Sequence, residues 1–338
     1  MRIAVVGCGL IGSRRARVAA AAGDTVAYAV DLLPERAAAL AAEVGGAPLG
    51  DWQEVLRDSA VEAVCVATVN ASLMPVTVAA LEAGKHVLCE KPLGRNALEA
   101  TAMAEAAQRA GRLLRVGFNL RYHPGLAEAH ALVEGGAIGR VAHLRAAYGH
   151  GGRPGYEAEW RGNAELAGGG ELLDQGVHLV DLCRWFLGPI ARVQALMRTV
   201  AWPIAPLEDN GFALLEATSG AVAVLHTSWT QWRNLFRFEV FGDRGAVTVE
   251  GLGGSYGPES LTIHTRRLPE GGRPDEQVVT YGDEDVSWSA EWRAFRRAVE
   301  SGEAEMGTPA DGVGAARVID AMYASARAGG PVSVIPDA

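Results

Sequence analysis

The sequence predicts an α/β protein in two parts: an N-terminal doubly wound parallel sheet over residues 1–120, and an α/β domain with a large, mostly antiparallel open sheet over 121–338. Three observations carry this. Short apolar runs alternate with helical patterns through the first third, as in a parallel sheet. Beyond residue 120 the pattern changes to strand after strand, several alternating apolar with polar. The chain has 338 residues, 49% of them hydrophobic, which is too long for one ordinary core and suits two.

The early runs "RIAVVG", "TVAYAVD", "EAVCVAT", "HVLCEK" and "LLRVGFN" are apolar at nearly every position. Strands buried on both faces read this way. Between them, "PERAAALAAEV", "MPVTVAALEAG" and "ALEATAMAEAAQRAG" read as helices. After "RYHPG" come a helix at "PGLAEAHALVEGG", a strand at "VAHLRAAYGH", a glycine-rich loop from Gly149 to Gly170, and a helix ending near Leu187. From Ala191 to Tyr281 strands follow one another, with turns at "TSGA" and "GDRG"; helices at "WSAEWRAFRRAVESG" and "GVGAARVIDAMYASARAG" close the chain.

The net charge is −9, with both signs scattered. No basic arm suits a nucleic acid, and no apolar run approaches the ~18–20 residues that span a bilayer. Cys8, Cys65, Cys89 and Cys183 have neither CxxC nor zinc spacing, so reduced, buried thiols in a cytoplasmic protein are expected. No metal site is expected either: a His and an Asp are available, but no further ligands at recognisable spacing.

"VVGCGLIGSRRA" holds Gly7, Gly9 and Gly12 in a G-x-G-x-x-G that follows a strand and opens a helix. That context gives the glycines separate tasks. Gly7 makes the tight turn, Gly9 lets the backbone approach a pyrophosphate, and Gly12 lets helix and strand pack closely. Leu10 and Ile11 begin the helix whose free N–H groups would face the phosphates. Asp31 ends the second strand, placed to accept from both ribose hydroxyls and to repel a 2′-phosphate. NAD is therefore expected over NADP, although Arg14 and Arg15 stand close in sequence. Thr68, Asn70, Glu90 and Lys91 complete the cofactor-binding set, at the ends of the next strands.

Glu90, Lys91 and Pro92 end a buried strand. Ligands of open α/β sheets bind at such carboxyl ends, which places Lys91 near the reacting end of the cofactor. In "GGGELLDQGVHLVD", Asp174 and His178 stand four residues apart on one expected helical face. The carboxylate would orient the imidazole, and the preceding glycines would supply loop freedom for a lid and close backbone approach to a ligand. Aromatic and hydrogen-bonding residues suited to a polyhydroxylated ring are Arg121, Tyr122, Tyr148, His150, Tyr156, Trp160, Arg161 and Trp229, with Gln231, Trp232 and Arg233 nearby. Asp181 reads as structural or orienting.

Together "GCGLIG", "AGKHVLCEKPLG", "GFNLRYHP" and "GGGELLDQGVHLVDLCRWFLG" resemble the glucose–fructose oxidoreductase / inositol dehydrogenase (Gfo/Idh/MocA) family in order and spacing, over essentially the whole chain. The resemblance implies a Rossmann domain followed by a sheet domain that mediates homodimers or homotetramers. It implies Lys91, Asp174 and His178 as the catalytic set, and a cis Lys91–Pro92 bond. Val69 and Met74 depart from the Thr-Pro-x-x-x-His that many members carry. The function implied is NAD-dependent hydride transfer at a secondary hydroxyl or ketone of a sugar, sugar derivative or cyclitol. The alternatives are a glycosidase that uses NAD transiently and a non-catalytic dinucleotide-binding regulator.

Overall fold

The structure, a computed structural model, describes residues 1–302 and 306–335. It divides into two compact units. The first comprises Met1–Asn119, Glu165–Gly168 and Trp288–Ala316; the second comprises Leu120–Ala164, Gly169–Ser287 and Arg317–Ala338.

In the first unit the chain runs β1 (Arg2–Val6), α1 (Leu10–Ala21), β2 (Thr25–Val30), α2 (Pro34–Val44), β3 (Ala47–Leu49), α3 (Gln53–Arg57), β4 (Ala63–Val66), α4 (Asn70–Glu82), β5 (His86–Glu90), α5 (Ala97–Ala110) and β6 (Leu114–Gly117). The six strands are parallel in the order β3-β2-β1-β4-β5-β6. The order reverses between β1 and β4, which is where such sheets take their ligands. Strands β4 and β6 are buried at every position, as expected of strands with helices on both faces. The short β3 and α3 carry no period long enough to read in the sequence. Helix α4 begins at Asn70 and runs through Pro75, whereas the sequence suggested a start at Met74, because proline prefers the first turn.

The second unit holds α6 (Pro124–Glu134), β7 (Val141–Gly149), a short α7 (Ala164–Ala167) that ends among first-unit residues, α8 (Val177–Leu187), β8 (Ile190–Arg198), β9 (Asn210–Ala217), β10 (Val222–Ser228), β11 (Leu235–Gly242), β12 (Gly245–Glu250), β13 (Glu259–Thr265) and β14 (Asp275–Gly282). Helix α9 (Ser287–Ser301) lies in the first unit from Trp288. Helix α10 (Pro309–Ala328) passes to the second at Arg317, and β15 (Val332–Ser333) closes the second sheet. That sheet has the order β14-β13-β12-β11-β7-β10-β9-β8-β15. Its pairs are antiparallel except β7 with β10. One face is apolar and buried, through Leu144, Ala146, Leu215, Ala223, Leu225, Phe238 and Val240.

The linear division at residue 120 differs from these units at 165–168 and 288–316. The reason for the second difference is packing. Trp292 and Phe295 of α9 join Ile3, Val5, Ala16, Leu40, Cys65 and Leu88 in one apolar cluster. Trp292 Nε1 donates to Asp24 at 2.7 Å and Arg296 donates to the Ala22 carbonyl at 2.8 Å. An amphipathic helix follows its apolar face, and that face belongs to the first core.

Candidate active site

In the first unit the sequence-predicted cofactor residues gather at the carboxyl ends of β1, β2, β4 and β5. Gly7 has φ 95°, and a Cβ there would lie 2.3 Å from the Ala67 carbonyl oxygen. A Cβ on Gly12 would lie 1.7 Å from the Gly7 oxygen, whereas one on Gly9 would meet nothing within 4 Å. Two glycines therefore close the turn and the third leaves the backbone open to an approaching group. Helix α1 starts immediately afterwards, with Leu10 exposed and Ile11 half-buried, so its first N–H groups are available at that opening. Asp31 is fixed there too: Oδ2 accepts from Cys8 N at 2.8 Å and Oδ1 from Leu33 N at 2.9 Å. Each oxygen keeps capacity for a further donor. These residues fit a bound dinucleotide.

Three expected contacts look different in detail. Asn70 is buried and its amide donates to the Ala167 carbonyl at 2.8 Å, pinning the segment 165–168. Thr68 Oγ1 donates to the Val69 carbonyl at 3.2 Å. The Glu90 carboxylate accepts from Arg15 Nε at 2.7 Å. Arg15 is 0% exposed and is thereby removed as a reader of a 2′-phosphate. Arg14 is exposed and stacks on Trp288, 5.0 Å from the ring centroid. Lys91 follows β5, half-buried, with Lys91–Pro92 cis.

In the second unit the stretch around Asp174 is not one regular helix. Leu172–Gly176 forms a π-helical turn, and α8 starts at Val177. Asp174 lies in the π turn and His178 in the first turn of α8, so the expected i, i+4 face of a regular helix is corrected. Such turns recur at functional positions, because the extra residue re-aims side chains. Asp174 Oδ2 accepts from Arg161 Nε at 2.8 Å. His178 is buried, with the Tyr148 ring edge-on at a centroid distance of 6.2 Å. Tyr148 lies 5.4 Å from the Tyr256 ring, and Gln175 Nε2 donates to the Tyr256 hydroxyl at 3.3 Å. Burial holds both tyrosine hydroxyls protonated, well above their usual range for Tyr148.

Two of the glycines before this turn serve close approach. A Cβ on Gly169 would lie 2.3 Å from the Tyr323 hydroxyl, and one on Gly170 2.0 Å from the Glu208 carbonyl oxygen. The Glu208 side chain accepts from Gly170 N and Leu172 N, each at 3.1 Å, and from Tyr323 at 2.7 Å. Burial raises its carboxyl. The loop from Gly149 has local structure of its own. It contains turns at Tyr156–Ala158 and Trp160–Gly162 and a forked Arg153–Glu159 pair at 2.7 Å.

Two residues expected at the substrate have commitments within the fold. Trp229 is 1% exposed and packs among Tyr156, at 4.8 Å, and His150, at 6.4 Å. Arg121 is buried and grips Asp181 with two hydrogen bonds of 2.8 and 2.6 Å, its guanidinium 5.4 Å from the Trp185 ring. Asp181 thus anchors α8. Tyr156 is buried, its hydroxyl 3.5 Å from His150 Nε2, while His150 Nδ1 accepts from Gly152 N at 2.9 Å. Burial lowers the His150 pKa and holds that ring neutral. Trp160 lies under the Arg161 guanidinium at 4.4 Å, and Tyr122 is half-buried. Gln175, Tyr256 and Glu208 escaped sequence reasoning. Gln175 and Tyr256 are 81 residues apart, and no local spacing announces such a pair. Among the described residues no group of three or more His, Cys, Asp or Glu could hold a metal ion.

Residues 1–118 match the family described as "Oxidoreductase family, NAD-binding Rossmann fold", and residues 126–248 match the "GFO/IDH/MocA C-terminal domain". The inositol 2-dehydrogenase 2 of Saccharopolyspora erythraea is 30% identical over 99% of this chain and 96% of its own. The chain belongs to the Gfo/Idh/MocA oxidoreductase family. It is an NAD-binding member on the evidence of its N-terminal match. The levoglucosan dehydrogenase of Pseudarthrobacter phenanthrenivorans is 35% identical over 50% of this chain; the match spans less than half of that enzyme, 44%. A solved levoglucosan dehydrogenase in complex with NADH and levoglucosan superposes with a TM-score of 0.88 at 26% identity, covering 99% of this chain and 100% of that one.

Proposed function

We propose that this family member oxidises a secondary hydroxyl of a sugar, sugar derivative or cyclitol with NAD⁺, or reduces the corresponding ketone with NADH. The observation that carries the reading is His178, buried at the start of α8 beside a π turn and Tyr148. It is a proton acceptor held where a purely structural helix would place an apolar residue. The names of the similar enzymes supply the substrate class.

Bound NAD supplies the hydride acceptor. His178 accepts the hydroxyl proton as general base, a contribution of roughly 10²- to 10⁴-fold. Lys91 places a positive charge at the oxygen that becomes an alkoxide, a stabilisation greatest in the transition state. Asp174, held by Arg161, is the residue assigned to orient the base. Asp31 accepts from the ribose hydroxyls and disfavours a 2′-phosphate.

A cytoplasmic homodimer or homotetramer accompanies this reading. The four thiols are buried and unpaired in disulfides. The second face of the large sheet exposes Leu196, Phe212, Leu214, Val222 and Val224. The strand registers set Leu196 opposite Phe212 and Leu214 opposite Val224. Contiguous apolar surface of this kind suits association with a second copy. Among the described residues no helix is long and apolar enough to cross a membrane.

The test is a panel of levoglucosan, D-xylose and inositols, each with NAD⁺ and NADP⁺, reading reduced cofactor and product together. The expected result is NADH with an equimolar ketone or lactone, and preference for NAD⁺. Release of a sugar from a glycoside without net NADH would point to the glycosidase. Cofactor binding without turnover on any of these would contradict the proposal.

A further inference from the structure

The turn after β10 strains its backbone and leaves a large ring uncovered. Trp232 has φ 54°, in the left-handed region, and is the one non-glycine residue with positive φ among the described residues. A bulky side chain seldom stays there, because its Cβ crowds the backbone. Such strain persists where function requires it. The indole gains no burial in return: Trp232 is 69% exposed, whereas Trp229 at the start of the same turn is 1% exposed. Trp202 is committed as well, its indole N–H donating to the Trp229 carbonyl at 3.0 Å and its ring centroid 5.8 Å from that of Tyr156. Strain combined with exposure is the opposite of what core packing produces.

Backbone contacts fix where this ring stands. Gln231 N donates to the His150 carbonyl at 3.1 Å, and His150 N donates to the Ser228 carbonyl at 3.0 Å. A Cβ on Gly151 would lie 3.4 Å from Trp232 Cα, so the loop that leaves β7 runs directly alongside the strained residue. The His150 ring in turn packs with Tyr156 and Trp229. Burial lowers the His150 pKa and the Asp174 carboxylate partly offsets that, which puts this aromatic group within reach of the Asp174 charge. Trp232 is its exposed member. We propose that Trp232 is a stacking platform for a second pyranose ring: the substrate is a glycoside, with the oxidised ring at Asp174 and His178 and the neighbouring ring on the indole. The inference rests on the sugar or cyclitol reading above. A pyranose carries C–H groups on its faces and hydroxyls on its rim, so its face suits an aromatic surface while its rim stays in water.

The experiment pairs each polyol with a glycoside of it, in the full chain: levoglucosan with cellobiosan, D-xylose with xylobiose, and myo-inositol with galactinol. In the pair that the wild type oxidises, the glycoside should show a KM at least about tenfold below that of the free polyol. Asparagine tolerates the left-handed region, so Trp232→Asn should keep the wild-type Tm. It should raise the KM of the glycoside to about that of the free polyol, with the loss confined to the glycoside. Trp232→Phe should retain most of the advantage, because a ring is kept. A glycoside that the wild type uses no better than its polyol, or an advantage that survives Trp232→Asn, would overturn the inference while leaving the polyol reading intact. Equal losses on both members of a pair, together with a lower Tm, would overturn it in favour of a structural ring. A change of particle mass in Trp232→Asn, read by light scattering, would overturn it in favour of contact with a second copy of the chain. No turnover of any of the six compounds by the wild type would sink both readings.

Discussion

The glycine cradle of the first unit and the π-turn region of the second are built on different principles. In the cradle, backbone meets backbone: a Cβ at Gly12 would strike the Gly7 carbonyl, and Asp31 accepts from the N–H groups of Cys8 and Leu33. In the π-turn region, side chains commit to side chains brought from far along the sequence. Arg121 holds Asp181 from 60 residues away, and Gln175 reaches Tyr256 across 81. A backbone site depends on a few local residues and is written as a motif. A side-chain site depends on partners, and each polar group in it serves either the fold or the substrate. Residue type alone does not say which.

The contrast can be broken by substitution, and the largest effect should come from the side-chain region. Arg121→Met leaves Asp181 buried without its guanidinium and should cost about 3–5 kcal/mol of stability, read by urea unfolding. A loss under about 1 kcal/mol would mean the pair is dispensable. In the cradle, Gly12→Ala should cost about 3 kcal/mol through the close approach to Gly7. Gly9 has φ −71° and ψ −168°, which alanine adopts readily. Gly9→Ala should therefore keep the wild-type Tm yet weaken NADH at least about tenfold, or 1.4 kcal/mol. Equal effects of the two glycines on stability would erase the division of labour between them.

A smaller effect sharpens the comparison through pH. Burial raises the Glu291 carboxyl from 4.5 to about 7, against the lowering by Arg15. The native protein then holds a proton that the unfolded chain has released, so stability falls as pH rises between those values. Wild type should lose about 1–3 kcal/mol across that window, and Glu291→Gln should flatten the slope. Parallel slopes in the two proteins would place the pH dependence elsewhere.

The parallel class of the first sheet, the limits of α2 and the turn and packing tasks of Gly7 and Gly12 were legible because each follows from local period or from backbone geometry. The antiparallel sheet was legible as a class from its alternation, but not its one parallel pair, since strand order depends on long connections. Helix α9 was assigned to the wrong core because an apolar stripe such as Trp292 and Phe295 says that a helix is covered, not by what. The packing of Trp229 and the Arg121–Asp181 pair were not legible for a related reason: an aromatic ring or a guanidinium reads the same in a core as in a site. Glu208 and Tyr323, which clamp the glycines before the π turn, carried no signal, since a lone carboxylate in a strand-rich stretch has no periodic partner.

The most direct test of the central claim is His178→Ala, measured by kcat/KM on a working polyol together with NADH affinity by titration. A general base at the start of α8 predicts a rate loss of roughly 10²- to 10⁴-fold with the NADH Kd unchanged. Full activity in His178→Ala, or a rate loss matched by an equal loss of NADH binding, would contradict the account and return His178 to a structural place in the helix.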